Sequence, residues 1–123
     1  MLIAALALAG ALGAVARHAV TDAAGSAPER RAVAVLVINV AGSALLGAVV
    51  GLARAHGLGP DAVVIVGAGL CGGFTTFSAY THLTVLLVGG GGDELRGVAL
   101  RTAVAGLVIS PLVAGIAFAA ASA

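Results

Sequence analysis

Gly69-Leu70-Cys71-Gly72-Gly73-Phe74-Thr75-Thr76-Phe77-Ser78 lies in the middle of an apolar stretch running from about Ala62 to Val88. That stretch is longer than the roughly 20 residues a helix needs to cross the hydrocarbon core of a bilayer. Its centre is poor helix material, because each glycine costs about 1 kcal/mol relative to alanine. Irregular backbone at membrane depth is tolerated only where protein buries it or where it lines a watery cavity, and a broken helix exposes carbonyl and N–H groups that bind ions. The segment therefore reads in one of two ways: as a break in a membrane-crossing helix that marks an ion site, or as a glycine packing contact of the Gly69-xxx-Gly73 kind whose hydroxyls cap themselves.

Three further apolar runs flank it, from about Met1 to Val20, Ala32 to Ala53 and Leu95 to Ala120. The whole chain of 123 residues is 61% hydrophobic and 9% charged, against about 45–50% and 25% for a soluble domain. With 19 glycines, 3% aromatics and no tryptophan, its close packing must come from small residues. The first run has no cationic start and extends past Val15, which favours a span over a cleaved signal peptide. These features predict an all-α integral membrane protein: one unit over residues 1–123, with spans at about 1–20, 32–53, 62–88 and 95–120 and a break in the third. Six arginines and no lysine face five acids, a balance that offers no basic patch for nucleic acid. Cys71 is the single cysteine and reads as a small buried residue, while His18, His56 and His82 are scattered one per element, without metal-ligand spacing.

Charge at bilayer depth costs at least ~2.5–3.5 kcal/mol, so polar residues inside the spans are functional candidates. They are Arg17, Asn39, Ser43, Thr75, Thr76, Ser78, Tyr80, Arg101, Thr102 and Ser110, whereas Asp22, Glu29, Asp61, Asp93 and Glu94 all fall in or beside loops. A proton-coupled or cation-exporting carrier needs an acid at membrane depth. This inventory of arginine, amide and hydroxyls favours an anion instead. Asn39, Ser43, Gly47 and Gly51 share one helical face, and so do Thr102, Gly106 and Ser110. The first stripe can equally serve as an interhelical contact, and hydroxyls such as those of the second often bond only their own backbone. Phe77 and Tyr80 are three residues apart, and their electropositive ring edges could offer weak contacts to a small anion.

Gly10-Ala11-Leu12-Gly13-Ala14-Val15-Ala16-Arg17, Asn39-Val40-Ala41-Gly42-Ser43 with Gly47, and the Gly69–Ser78 segment together resemble the signatures of the Fluc (CrcB) fluoride channels, in order and spacing from about Leu12 to Gly115. The resemblance implies an antiparallel dimer of four-helix subunits in the cell inner (plasma) membrane, exporting fluoride passively through narrow pores, with a structural Na+ at the dimer centre. It further implies that Asn39 donates to fluoride, that Phe77 and Tyr80 form an aromatic box, and that Thr76, Ser43 and Ser110 belong to the polar track. Arg17 would stand at the vestibule, and the backbone carbonyls of Gly72 and Thr75 would hold the sodium. Tyr80 stands where the family usually has phenylalanine, Thr102 and Gly106 where it has tyrosine and serine, and Leu83 where a glutamate often follows the box. Loss of track residues is what subunits of two-gene heterodimers show.

Arg30, Arg31 and Arg96 lie in the first and third loops with Arg17 and Arg101 at adjoining span ends, whereas the opposite face has only Arg54. A five-to-one asymmetry is more than a dual-topology chain would want. It predicts one orientation, with those loops cytoplasmic, and hence an antiparallel heterodimer with an oppositely oriented homologous subunit in preference to a homodimer. Two rival classes, a small-solute exporter of the four-helix drug-resistance type and a non-selective pore-forming protein, lack a membrane acid and a selectivity argument respectively. C-terminal reporter fusions check the orientation: the termini are expected outside, and equal populations in both orientations would remove the case for a heterodimer.

Overall fold

The computed structural model describes residues 1–90 and 92–123. Helix α1 (Leu2–Ala23) and α2 (Pro28–His56) are followed by a third span made of α3 (Pro60–Val63), a π-helical run (Val64–Cys71), α4 (Gly72–Phe74) and α5 (Phe77–Gly90), and then by α6 (Asp93–Ala121). Four helical segments, Leu2–Ala23, Pro28–His56, Pro60–Gly90 and Asp93–Ala121, are long and apolar enough to cross a membrane.

The first segment runs past its expected C-terminal end and the other three past both ends, because the flanking residues are themselves helical. Pro28 and Pro60 open helices with a preset φ at a position that needs no N–H donor. Glu29, Asp93 and Glu94, expected in loops, occupy first turns, where the helix dipole favours negative charge. Gly57 ends α2 in the left-handed conformation, at φ 68°. Arg31 and Arg96 sit at the starts of α2 and α6 rather than in loops, and their Nε atoms donate back to the carbonyls of Gly25 and Val88 at 3.0 and 3.1 Å. Of the expected glycine loop, Gly89 and Gly90 extend α5, and Gly91 lies outside the described residues.

Small residues set the register. A Cβ on Gly73 would meet the Gly10 carbonyl, and one on Gly13 would meet the backbone of Leu70 and Phe74, so α1 and the third span touch backbone to backbone. Likewise Gly47 and Gly51 lie on Ala114 and Phe118 of α6. The lower half of the Asn39-Ser43-Gly47-Gly51 stripe is therefore a helix contact, and so is the Gly69/Gly73 pair, with Gly69 against Leu6 and Ala9. In both contacts residue numbers rise together, so each helix runs parallel to the span two places along the chain. α5 runs back between α2 and α6, where Leu87 is buried with Ala32 and Ala99. Helical geometry persists through the glycine run, and the non-helical backbone is confined to Thr75, which is extended at φ −79° and ψ 158°, and Thr76.

Gly73→Val should cost ~1–3 kcal/mol by overpacking against a backbone that cannot yield, whereas Gly97→Ala on α6 meets open space. Thermal unfolding in detergent checks this; equal losses for the two variants would refute the backbone contact.

Candidate functional site

The extended residue Thr75 and its neighbour Thr76 would leave unpaired backbone groups in the bilayer, and the chain meets that cost from α2. Asn39 Nδ2 donates to the Thr76 carbonyl at 3.2 Å, and the Thr76 N–H donates to Asn39 Oδ1 at 3.0 Å. One side-chain amide thus satisfies both polar groups of Thr76, as a neighbouring peptide would in a sheet. Gly42, one turn on, is buried without a side chain because the Thr75 methyl fills that space. Thr75 folds its N–H and its hydroxyl onto the Cys71 carbonyl, each at 2.8 Å. Thr76 caps α5: its Oγ1 accepts the Ala79 N–H at 3.2 Å and lies 3.2 Å from Ser78 Oγ.

Two cavities meet at this point. The first, of about 360 Å³, is lined by Asn39, Ser43, Gly72, Thr75, Thr76, Phe77, Tyr80 and Ser110, with Gly42, Cys71 and Gly106 among the rest. The second, of about 350 Å³, is lined by Arg17, His18, Asp22, Arg31 and His82, and again by Thr76. The structure therefore gathers eight of the nine residues to which the family resemblance gives a role around one cavity, puts the ninth, Arg17, in the other, and makes Thr76 the wall they share; of the other polar candidates, Ser78, Arg101 and Thr102 line neither. Arg17 Nε is buried without a partner among the described residues, while His18 pairs with Asp22 at 3.2 Å.

The aromatic pair is present as a tilted arrangement, with ring centroids 6.4 Å apart and planes at 31°. Phe77 is 74% exposed. Tyr80 points its hydroxyl at α6, where it donates to the Ala103 carbonyl and lies 3.1 Å from that of Thr102. Thr102 is buried, and its hydroxyl donates within its own helix, to the carbonyls of Val98 and Ala99. Of its stripe, Gly106 and Ser110 alone reach the larger cavity. Sequence reasoning passed over Pro111, which lies inside α6. Lacking an N–H, Pro111 leaves the Leu107 carbonyl without its helical donor beside the cavity that Leu107 and Ser110 line; a proline within an apolar run is a legible signal.

The family model described as CrcB-like protein, Camphor Resistance (CrcB), matches residues 4–122. A relative from Leifsonia xyli subsp. xyli, fluoride-specific ion channel FluC 1, is 43% identical over 88 residues, covering 71% of this chain and 64% of its own. FluC of Deinococcus radiodurans, likewise named a fluoride-specific ion channel, is 44% identical over 115 residues, covering 85% of this chain and 90% of its own. FluC 1 of Symbiobacterium thermophilum is 45% identical over 76 residues, covering 59% and 61%. The chain thus spans less than two thirds of the Leifsonia and Symbiobacterium relatives. No solved structure matches it. The relatives are named as ion channels, not enzymes, and together with the four spanning helices they indicate a multi-pass membrane protein. With a match over nearly all of its length, the chain belongs to the CrcB-like family.

Proposed function

We propose that the chain is one subunit of a channel in the cell's inner (plasma) membrane that lets fluoride leave the cytoplasm passively. The observation that carries the reading is the donor character of the larger cavity. An amide, three hydroxyls and two aromatic rings, from Asn39, Ser43, Thr76, Ser110, Phe77 and Tyr80, line it, with no carboxylate among its described lining residues. Fluoride is small and strongly hydrated, so a pore must replace its water with close donors in a constriction too tight for larger halides. Asn39 spends one N–H on the Thr76 carbonyl and keeps a second for an anion. The Thr76 hydroxyl accepts from Ala79, so its own proton is free to turn to Ser78 or to an ion. Arg17, on the far side of Thr76, raises anion concentration by its field. With no acid at this depth to carry protons, the flow is down the gradient.

The subunit's cavity is completed by a homologous subunit in an antiparallel dimer. Its open side, where Phe77 and Gly72 are exposed, supports this. The arginine bias supports a heterodimer. A structural Na+ fits the same face. The Thr76 N–H turns to Asn39 and so leaves the Gly72 carbonyl four residues back without that helical donor, and the Thr75 carbonyl follows extended backbone outside α4. Uncharged carbonyl oxygens suit a hard alkali cation; bound there, it would tie two subunits together without taking part in conduction.

Efflux from liposomes holding fluoride or chloride tests the reading, with the chain alone and with a neighbouring homologous chain. Fluoride should leave and chloride stay. Asn39→Asp should cut fluoride flux by roughly 10- to 150-fold, the equivalent of ~1.5–3 kcal/mol for a hydrogen bond to a charged group. If neither preparation passes fluoride, or if chloride leaves equally fast, the proposal is wrong.

A further inference from the structure

The Tyr80 hydroxyl donates to the Ala103 carbonyl and lies 3.1 Å from that of Thr102. A Cβ on Gly106 would stand 2.6 Å from that hydroxyl oxygen and 3.0 Å from the ring carbons Cε2 and Cζ. The phenol head therefore occupies the volume in which any other residue at 106 would begin its side chain. Thr102, on the adjacent turn, is bonded to Val98 and Ala99 and does not compete for the anchor. Tyr80, Gly106 and Phe77 all line the larger cavity, so the fit between α5 and α6 at this point shapes its wall.

We propose that Tyr80 and Gly106 work as one size-matched unit, in which Gly106 is a positioning residue that lets α6 hold the Tyr80 phenol by its hydroxyl. The inference rests on the fluoride-conducting reading and adds a chemical reason for the anchor. A phenol has a single proton to give. Given to the Ala103 carbonyl, it is withheld from the anion, and the ring offers only its weakly electropositive edge. A released phenol would be a strong donor at the pore wall and would hold fluoride too tightly to let it leave, whereas conduction needs binding weak enough for exit.

Tyr80 is the only tyrosine and tryptophan is absent, so the tyrosine Raman doublet of the full chain reports this one phenol without interference. In liposomes containing the chain alone, Gly106→Ser should move the doublet from its donor signature toward that of a released phenol. In the preparation that conducts, it should lower fluoride efflux about tenfold, as expected for overpacking of a tight contact. The double variant Tyr80→Phe/Gly106→Ser removes the clashing oxygen and leaves ring carbons that need move only slightly, so efflux should return to within about threefold of the parent. Gly106→Ala serves if the serine variant does not elute as a monodisperse species, and is expected to shift the doublet the same way. An unchanged doublet in a folded Gly106 variant would overturn the proposal, as would a double variant no faster than Gly106→Ser. If the unaltered chain passes no fluoride in either preparation, the channel reading fails, and the Raman comparison still decides whether Gly106 sets the anchor.

Discussion

The reciprocal hydrogen bonds between the Asn39 amide and the backbone of Thr76 are the constraint on which the rest of the structure depends. In a bilayer, no water rescues a backbone N–H or C=O that leaves its helix. The third span can turn at Thr75 only because α2 supplies a donor and an acceptor at the right height. Once Asn39 has taken the Thr76 N–H, the preceding helix loses that donor, Thr75 is free to extend, and the Thr76 hydroxyl is placed to cap α5. Both cavities then meet at the residue that Asn39 holds.

Backbone contact sustains that arrangement. Asn39 reaches Thr76 because Gly42 lets Thr75 lie against α2, and because the third span is seated on α1 through Gly10, Gly13, Gly69 and Gly73. On the other side Gly47 and Gly51 bring α6 against α2, which places Ser110 and Gly106 on the same cavity as Asn39. Without a hydrophobic force between helices in lipid, such contacts supply the attraction through close packing. The π-helical run at Val64–Cys71 lies where α1 presses on the third span. The same economy explains the aromatic wall: Tyr80 gains its anchor on α6 because residue 106 has no side chain.

Much of the site was legible because lipid makes polar residues conspicuous. Asn39, Ser43, Thr76 and Ser110 stand out in apolar runs, and helical spacing puts them on faces that can converge. What spacing does not reveal is which polar groups are already engaged. Thr102 and Ser110 have the same signature, yet the Thr102 hydroxyl is bound to its own helix and only Ser110 reaches the larger cavity. Gly47 and Gly51 continue the stripe of Asn39 and Ser43 but pack on α6. Tyr80 read as a ring, and its hydroxyl proved to be the part that binds.

By itself the sequence determined that the chain crosses a membrane with four helices, that its acids all fall near the ends of those spans and none in the middle, and that its third span contains the residues least suited to unbroken helix. These follow from transfer energies and residue chemistry, which act locally. The partner of each polar atom was decided only by the tertiary structure. An amide can donate to an ion or close a backbone gap, and a glycine can bend a helix or admit a neighbour. Which of these happens depends on the atom that the next helix brings within about 3 Å, a distance set by packing across the whole bundle.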